Sequence, residues 1–398
     1  MRAELIERAD QVMANTYQRF PVVFIKGKGT KLWDTDGRSY TDFVAGIAVC
    51  NLGHAHPRIC EALSRQAQTL LHVSNLYYTR PQIELASWLV ENSFADRVFF
   101  GNSGAEANEA AIKLARKYFK ERGENHRFRI IAMERSFHGR TLATLSATGQ
   151  EKIRKGFEPV LDGFDFVPFN DAGALRAHIG PATCAVMLEP IQGEGGVCCP
   201  DEDYLKTVRQ ICDETGTLLI FDEIQTGMGR TGQLFAYQHF GVEPDIMTLA
   251  KALANGLPIG AMLAREKIAA AFGIGSHGST FGGTPVVTAA ALEVCKILVE
   301  DNVIENGRAA GLYFKEKLLG LKARHPVIED VRGLGLLLGM QLKIDGRWLV
   351  TQCLQSGFLI NCIQEKILRF IPPLIISSAE IDELVEYLDP ILTQAESA

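Results

Sequence analysis

The sequence has no excess of positive charge. Its 398 residues carry 41 lysines and arginines against 47 aspartates and glutamates, a formal net charge of −6. Proteins that bind nucleic acids or anionic membranes through a broad surface are typically basic, so we expect neither partner here. An acidic ligand would be held by a few local arginines instead of the field of the whole protein.

Patterns typical of metal centres and disulfide frameworks are also missing. The nine cysteines include no C-x-x-C pair, and the adjacent Cys198 and Cys199 suit neither a zinc site nor a disulfide framework. We therefore expect free thiols in a reducing compartment. His54 and His56 in "GHAHP" have no acidic or thiol partner at metal-ligand spacing, so we interpret them as structural histidines and predict no metal.

Long apolar segments are absent as well. The longest apolar runs, "GLPIGAMLA" and "GLGLLLGM", are far shorter than the roughly 20 residues of a membrane-spanning helix. The first residues, "MRAELIERAD", are charged and lack the apolar core of a secretory signal. With 47% hydrophobic residues, the chain can form one large core and a smaller one. We expect a soluble, cytoplasmic protein.

What the sequence does contain is an alternation of strand-like and helix-like segments. Residues 1–20 read as an arm or short helix, and "VVFIKGKGTKLWDTDGRSYTDF" predicts short strands and turns. From about residue 97, helix-like segments separate several of five apolar runs, which indicates a largely parallel α/β sheet. The runs are "RVFFGN", "RIIAME", "AVMLEP", "TLLIFDE" and "IMTLAK". Beyond residue 285, helical patterning with strands at "RGLGLLLGMQL" and "FLINC" indicates a smaller second domain.

The ends of the five runs carry polar and glycine-rich residues. They are "NSGAE", "SFHGR", "EPIQGEGG", "DEIQTG" and the lysine of "IMTLAK". In open α/β sheets, ligands bind beyond the carboxyl ends of the strands. The sequence therefore predicts a functional site along this edge of the sheet.

The segment after the first run predicts a helix whose start can bind an anion. Ser103 and Glu106 have the spacing of a capping box. They precede an amphipathic pattern formed by Ala111, Leu114, Ala115, Tyr118 and Phe119. A turn at residues 102–104 would present free backbone N–H groups, where a phosphate is favoured. Considered alone, the segment is more typical of an ordinary capped helix that binds nothing.

Asp222 and Lys251 end the last two runs, 29 residues apart. This is the length of one βαβ-like step, so both side chains can converge on one ligand from neighbouring strands. Alone, Asp222 could cap a helix or form an ion pair, and Lys251 could extend to the surface. Together with an anion-binding helix start, they favour pyridoxal phosphate. Its phosphate needs the helix start, its ring nitrogen needs a carboxylate and its aldehyde needs an amine.

A competing motif is "GMGRTG", Gly227 to Gly232, which matches the G-x-G-x-x-G pattern of dinucleotide-binding proteins and has Asp245 downstream. It begins five residues beyond Asp222, too far for the usual tight turn, and Arg230 and Thr231 do not open an apolar-periodic helix. We favour a glycine-rich active-site loop over an NAD-dependent dehydrogenase. A purely structural or binding role is a third alternative.

The chain resembles the class III (ω-amino) pyridoxal-phosphate aminotransferases, and within them the acetylornithine aminotransferase branch. The likeness covers nearly the whole length. Its motifs are "GKGTKLWDTDGRSYTDFVAGIAVCNLGHAHP", "HVSNLYYTRPQIELA", "FFGNSGAEANEAAIKLARKY", "SFHGRT", "EPIQGEGG", "FDEIQTGMGRTG", "LAKALANGLPIGA", "GSTFGG" and "LRFIPPL".

This resemblance implies a fold type I architecture. The large, mostly parallel cofactor-binding domain would span residues 49–285, and a smaller α/β C-terminal domain would span 286–398. Residues 1–48 would form an N-terminal segment that packs with the small domain. The family also implies a homodimer with active sites at the interface.

The resemblance also implies roles for individual residues. Lys251 would join covalently to pyridoxal phosphate, and Asp222 would pair with the ring nitrogen. The other cofactor-binding residues would be Ser103, Gly104, Ala105, Phe137, His138, Ile224, Gln225 and, from the neighbouring subunit, Thr280. Phe137 would stack on the ring, with Ile224 on its opposite face.

For the substrates, Arg140 would hold a carboxylate through its planar guanidinium. Arg369 would bind the α-carboxylate of glutamate or 2-oxoglutarate, and Glu194 would pair with Arg369 while the amine donor is bound. Ser279, Tyr17 and Ile47 complete the predicted substrate-binding set. Ornithine aminotransferases carry tyrosine at the position of Ile47, so free ornithine is disfavoured.

The implied reaction is a ping-pong transfer of the terminal amine of N2-acetyl-L-ornithine to 2-oxoglutarate, a step of arginine biosynthesis. Succinylornithine, N-succinyl-diaminopimelate and acetyl-lysine stay open as alternative donors. They differ by an acyl tail or a methylene, and one methylene changes discrimination by only about 1–3 kcal/mol.

Overall fold

The structure is a computed structural model that describes residues 2–396. Its strands are β1 (Phe24–Lys28), β2 (Lys31–Asp34), β3 (Ser39–Asp42), β4 (Arg97–Gly101), β5 (Arg129–Met133), β6 (Phe164–Val167), β7 (Thr183–Leu188), β8 (Leu218–Asp222), β9 (Ile246–Leu249), β10 (Gly260–Ala264), β11 (Ile328–Leu334), β12 (Leu337–Leu342), β13 (Phe358–Leu359), β14 (Asn361–Ile363) and β15 (Ile367–Phe370). Its helices are α1 (Arg2–Val12), α2 (Ala45–Ala48), α3 (Pro57–Thr69), α4 (Arg80–Glu91), α5 (Gly104–Glu121), α6 (Leu142–Ser146), α7 (Glu151–Arg154), α8 (Ala172–His178), α9 (Tyr204–Thr215), α10 (Tyr237–Phe240), α11 (Glu266–Ala269), α12 (Pro285–Glu300), α13 (Val303–Arg324), α14 (Arg347–Gln355) and α15 (Ser378–Glu396).

The central feature is a seven-stranded sheet in the order β4-β10-β9-β8-β7-β5-β6. Its strands are parallel except β10, which pairs antiparallel with both β4 and β9. Each of the five apolar runs contains one of these strands, which confirms a largely parallel α/β sheet. β7 and β8 are fully buried and are apolar except for Thr183 and Asp222 at their ends, as expected for strands covered on both faces.

Sequence reading missed two strands of this sheet. β6 has the short sequence "FDFV", and its charged Asp165 interrupts the apolar pattern. β10 lies inside "GLPIGAMLA", where the preceding proline and glycines are more typical of a turn. Both pair with strands on the sheet, so tertiary pairing determines their conformation.

The long helix α5 packs one face against this sheet. Its apolar positions, including Ala111, Leu114, Ala115 and Phe119, are buried, as the helical spacing predicts. α9 ends at Gly216, whose φ of 62° is the left-handed conformation that glycine adopts readily.

Two smaller sheets cover the rest of the chain. One has the order β1-β2-β3-β13 and joins N-terminal strands to residues 358–359; the other has the order β11-β12-β15-β14. The run "RGLGLLLGMQL" is not one strand but the end of β11, a turn containing Gly335 (φ 54°), and β12. "FLINC" likewise divides between β13 and β14, which belong to different sheets.

The proposed boundaries at residues 48 and 285 stay a prediction, although β13 does place the N-terminal strands on the C-terminal part of the chain. In the stretch from residue 2 to 396, no helix combines the length and apolar character needed to cross a bilayer.

Candidate active site

Lys251 lies just beyond the carboxyl end of β9. Its φ is +45°, an uncommon backbone conformation for a residue other than glycine, and it opens a 3-10 turn over Lys251–Ala254. The turn ends at Asn255, whose side chain accepts a hydrogen bond from Leu52 N (2.8 Å) and donates to Gly53 O (2.9 Å). Desolvation lowers the pKa of the Lys251 amine, an effect that Glu194 and Asp222 oppose and Arg369 reinforces. A lysine with a lowered pKa is a better nucleophile and proton carrier.

Asp222 ends the neighbouring strand β8, in register with Thr248 of β9. The two predicted catalytic residues therefore lie at the ends of adjacent strands. Asp222 Oδ2 accepts hydrogen bonds from His138 Nδ1 (2.7 Å) and Asn108 Nδ2 (2.8 Å), and its Oδ1 accepts from Ile224 N (3.1 Å). These bonds fix the carboxylate in a buried position.

His138 and Asn108 support Asp222 from two directions. Burial lowers the pKa of His138, but the hydrogen bond and charge of Asp222 outweigh burial and the net shift is upward. Asn108 also donates to His138 O (2.7 Å) and accepts from Thr248 Oγ1 (2.7 Å). The network connects α5, the residues after β5, and strands β8 and β9.

The start of α5 has the predicted form, with one difference. Ser103 is the N-cap and its Oγ accepts from Glu106 N (3.1 Å). The Glu106 carboxylate returns to Asn102, bonding its backbone N–H and its Nδ2, instead of to the N-cap residue as a capping box requires. The first N–H groups of a helix have no partner within it, so those of Gly104 and Ala105 are available to an anion.

These residues line one cavity of about 460 Å³. It includes Ser103, Gly104, Ala105, Phe137, His138, Arg140, Asp222, Ile224, Gln225 and Lys251. Arg140 is exposed, and its guanidinium carbon lies 5.5 Å from the centre of the Phe137 ring. The structure therefore brings nine other predicted site residues together around Lys251.

Glu194 and Arg369 form an ion pair that reaches the cavity through Gln225. Arg369 is almost fully buried, and its Nη1 donates to Glu194 Oε1 (2.5 Å) and to Gln225 Oε1 (3.2 Å). Burial raises the pKa of Glu194, but the charges of Arg369 and Lys251 lower it by more, so this carboxyl is held ionised. β15 supplies Arg369, and the loop after β7 supplies Glu194.

Besides Glu194 and Arg369, four predicted residues do not line this cavity. Ser279 does not line the cavity, but its Oγ accepts a hydrogen bond from Nδ2 of Asn102, which does (3.1 Å). Thr280 is exposed. Tyr17 is exposed with Arg19 over its ring (5.3 Å). Ile47 lines a second, mostly apolar cavity of about 540 Å³. Within one chain these four residues are not part of the Lys251 site.

The glycine-rich loop does not have the form of a dinucleotide-binding site. The next helix after it, α10, begins only at Tyr237. Arg230 is fully buried inside the loop and donates to Leu336 O (2.9 Å), Pro372 O (2.6 Å) and Asn51 Oδ1. The loop is therefore occupied by its own contacts with the C-terminal part of the chain.

The histidines of "GHAHP" have separate positions. His54 Nε2 bonds Asp42 Oδ2 (2.8 Å), and His56 is the N-cap residue of α3. Across the described part of the chain, no group of three or more His, Cys, Asp or Glu side chains could hold a metal ion.

The sequence analysis did not predict two residues of this region. Asn108 lies on the buried face of α5, and a polar residue within that apolar pattern was the signal available. Glu189 follows β7 and accepts from Phe137 N (3.2 Å) and Gly193 N (3.2 Å). Its backbone partners lie in two loops, and no local pattern in the sequence indicates them.

The residues present fit pyridoxal phosphate. A Cβ at position 104 would lie 2.7 Å from Ile224 Cδ1, so only glycine permits this close approach of the helix start to the cavity wall. The site offers free helix N–H groups for a phosphate, a fixed carboxylate for a protonated ring nitrogen and a desolvated amine for an aldehyde.

Comparisons with known proteins agree with this chemistry. Residues 12–392 match the family described as Aminotransferase class-III. The chain is 50% identical over 391 residues to the acetylornithine aminotransferase of Caldanaerobacter subterraneus subsp. tengcongensis, covering 98% of this chain and 99% of that protein. It is 52% identical over 382 residues to the acetylornithine aminotransferase of Methanocaldococcus jannaschii, covering 95% of each.

Solved structures of aminotransferases have the same fold as this chain. The ornithine aminotransferase of Toxoplasma gondii superposes with a TM-score of 0.96 at 34% identity, covering 100% of this chain and 96% of that one. The acetylornithine aminotransferase of Elizabethkingia anophelis superposes with a TM-score of 0.88 at 32% identity, covering 99% of both chains.

Proposed function

Because this chain belongs to the class-III aminotransferases, we propose that it transfers the terminal amine of N2-acetyl-L-ornithine to 2-oxoglutarate, a step on the route to arginine. The observation that carries the proposal is the pairing of Glu194 with Arg369 beside the Lys251 cavity. An enzyme that takes an amine donor and a keto diacid in turn at one site needs a carboxylate-binding group that can be neutralised. The names of the relatives at 50 and 52% identity support this particular donor.

The enzyme depends on pyridoxal phosphate. When bound, this cofactor supplies an aldehyde that accepts the amine and a protonated ring that delocalises negative charge. We assign the phosphate to the N–H groups of Gly104 and Ala105, with Ser103 beside them, and the ring nitrogen to Asp222. Phe137 and Ile224 would cover the two faces of the ring, with Gln225 at its hydroxyl.

Lys251 is assigned two tasks. Its amine would hold the cofactor in the resting enzyme and, once displaced, carry a proton to and from the substrate carbon. Desolvation lowers its pKa and favours the neutral amine that both tasks require. Asp222, oriented by His138 and Asn108, would keep the ring nitrogen protonated through both halves of the reaction.

Arg140 and Arg369 would bind the carboxylates. Arg140 is exposed at the cavity mouth next to Phe137, where it can meet the carboxylate of N2-acetylornithine. During this half-reaction Glu194 would keep Arg369 paired, since a buried ion left without its partner costs about 3–5 kcal/mol. With 2-oxoglutarate, the α-carboxylate of the substrate would replace Glu194 on Arg369.

We further propose a homodimer with shared active sites. Residues 70–78 and 274–281 form an exposed apolar surface that includes Leu76 (84% exposed) and Tyr78 (94% exposed). The two segments are joined by Asn75 Nδ2, which donates to Ser279 O (3.1 Å) and Gly282 O (3.0 Å). A second copy bound to this surface would cover apolar residues that are costly to expose. Ser279 and Thr280 of each subunit would then lie at the Lys251 cavity of the other.

Sedimentation tests the dimer. We expect the wild type to sediment with twice the 43.8 kDa chain mass, and Tyr78→Asp to dissociate and lose cofactor affinity. A monomeric wild type with full activity would rule out shared sites. We assign Ile47 and Tyr17 to substrate binding on the basis of the family resemblance. All nine cysteines are free thiols, which supports our placement of the enzyme in the cytoplasm.

An absorbance titration tests the donor. The purified enzyme is titrated with single amine donors without any keto acid. We expect the band of the aldehyde form to bleach at far lower concentration with N2-acetylornithine than with ornithine, 4-aminobutyrate or succinylornithine. If another donor wins, the aminotransferase assignment stands and the proposed substrate is wrong.

A further inference from the structure

Glu189 is a buried carboxylate in the wall of the cavity with no part in the reaction described so far. It directly follows β7, is 5% exposed and lines the same space as Lys251. Its two oxygens have different partners: Oε2 accepts from Phe137 N and Oε1 accepts from Gly193 N, each over 3.2 Å. One side chain thus bonds the backbone of two separate loops.

The two loops carry different parts of the proposed site. The loop after β5 carries Phe137, and the loop after β7 carries Glu194, the residue next to Gly193. The second loop is closed at its base by backbone hydrogen bonds between Gln192 and Cys198 (3.0 Å each). Gln364 Nε2 also donates to Glu194 O (3.0 Å).

Other contacts between the loops lie further from the cavity. Gln192 Nε2 donates to Glu134 O (2.9 Å), and Arg135 donates to Gly195 O. Glu134 and Arg135 are exposed. Glu189 is the contact that reaches Phe137 itself and the residue before Glu194.

Charged groups surround this carboxylate. Burial raises the pKa of Glu189 to about 7, His138 opposes this shift and Asp222 reinforces it. Lys251 also faces it. An ionised carboxylate can accept from both N–H groups at once, whereas an amide of the same shape cannot, because its nitrogen is a donor.

We propose that Glu189 is a positioning residue that sets, through one carboxylate, the backbone beneath Phe137 and the start of the loop that carries Glu194. This inference rests on the roles proposed above for Phe137 and Glu194. It predicts that a change confined to Glu189 disturbs cofactor binding and the amine-donor half-reaction together.

Glu189→Gln provides the test and Glu223→Gln the matched control. Glu223 is also buried, accepts from two backbone N–H groups, those of Ala236 (2.6 Å) and Tyr237 (2.8 Å), and has a pKa that burial raises to about 7. These two backbone partners are the N-cap and the first residue of α10, and neither lines the Lys251 cavity. Each substitution therefore replaces a buried carboxylate that accepts two backbone N–H groups by an amide, and only the Glu189 carboxylate lines the cavity.

Three quantities are measured for wild type and both variants: the thermal midpoint, the Kd of pyridoxal phosphate for the cofactor-free protein, and the single-turnover rate with N2-acetylornithine. We expect Glu189→Gln to raise the Kd and slow the half-reaction by about tenfold each, the effect of losing one hydrogen bond to a charged group. Glu223→Gln should lower the thermal midpoint about as much as Glu189→Gln does. It should change the other two quantities by less than about twofold, because neither Glu223 nor its two backbone partners line the cavity.

If the two variants have the same Kd and half-reaction rate, the inference is wrong. Should Glu189→Gln not fold, Glu189→Asp keeps the charge, shortens the reach by one methylene and should show the same two losses. The Kd comparison needs no substrate. A wild type that is inactive with N2-acetylornithine would therefore overturn the proposed function while leaving the positioning role to be judged on cofactor affinity.

Discussion

Replacing Glu194 by glutamine should slow the amine-donor half of the reaction and spare the keto-acid half. In the structure Arg369 is 1% exposed, and its Nη1 donates to Glu194 Oε1 over 2.5 Å. Glu194→Gln keeps an oxygen for this bond but removes the negative charge. When N2-acetylornithine is bound, the buried guanidinium would then have no carboxylate partner.

The size of the effect follows from the burial of this pair. Removing one partner of a buried ion pair costs about 3–5 kcal/mol. The glutamine oxygen can still accept a hydrogen bond, and the Glu194 side chain is 29% exposed. We therefore expect the lower figure of about 1.5–3 kcal/mol that applies to one hydrogen bond to a charged group, which is about 10- to 100-fold in rate or affinity.

For 2-oxoglutarate the expectation has the opposite sign. Its α-carboxylate would bind Arg369 in place of Glu194. Glu194→Gln removes the carboxylate that competes for Arg369, so the KM for 2-oxoglutarate should stay constant or fall. Stopped-flow absorbance measures the two half-reactions separately, and Glu223→Gln is again the control for loss of a carboxylate. Equal slowing of both halves, or an unchanged donor half, would refute the switch.

Further predictions concern three residues. Asn108→Ala removes a hydrogen bond to Asp222 Oδ2 and one to His138 O; we expect urea unfolding to show a loss of about 1–3 kcal/mol and cofactor titration to show weaker binding, and unchanged cofactor affinity would contradict the role given to Asn108. Arg140→Ala should raise the KM for N2-acetylornithine by about 10- to 100-fold but leave putrescine, a terminal diamine with no carboxylate, unaffected; an equal loss for both donors would contradict a carboxylate contact. The hydrogen bond to Asp42 raises the pKa of His54 from 6.5 to about 9, so protonated His54 stabilises the fold fully below pH 6.5 and less as the pH rises through 9. Urea unfolding of wild type should therefore lose up to about 3 kcal/mol more than His54→Asn over this range, and parallel pH profiles would contradict it.

The parts of this protein that could be predicted from sequence depend on one stretch of chain at a time. Asp222, Lys251 and the start of α5 each follow an apolar run, and the ends of parallel strands meet at one edge of a sheet. The sheet itself was predictable because buried strands such as β7 and β8 are apolar at every position but one. The spacing of Asp222 and Lys251 was sufficient to predict that they end adjacent strands.

What could not be predicted depends on contacts between distant segments. Arg230 bonds Leu336 O and Pro372 O, more than a hundred residues away, so its glycine-rich motif gave no sign that the loop is filled by packing. Glu189 bonds two loops that only the fold brings together. The roles given to Ser279 and Thr280 rest on a second copy of the chain and therefore on the family resemblance.

The most direct test of the central claim is reductive trapping at Lys251. The enzyme is incubated with pyridoxal phosphate, treated with borohydride and digested, and the modified peptide is identified by mass spectrometry. We predict that the label lies on Lys251, is absent in Lys251→Ala, and is lost when N2-acetylornithine is added before the reductant. A label on another lysine, or one that N2-acetylornithine does not prevent, would contradict the assignment of this site.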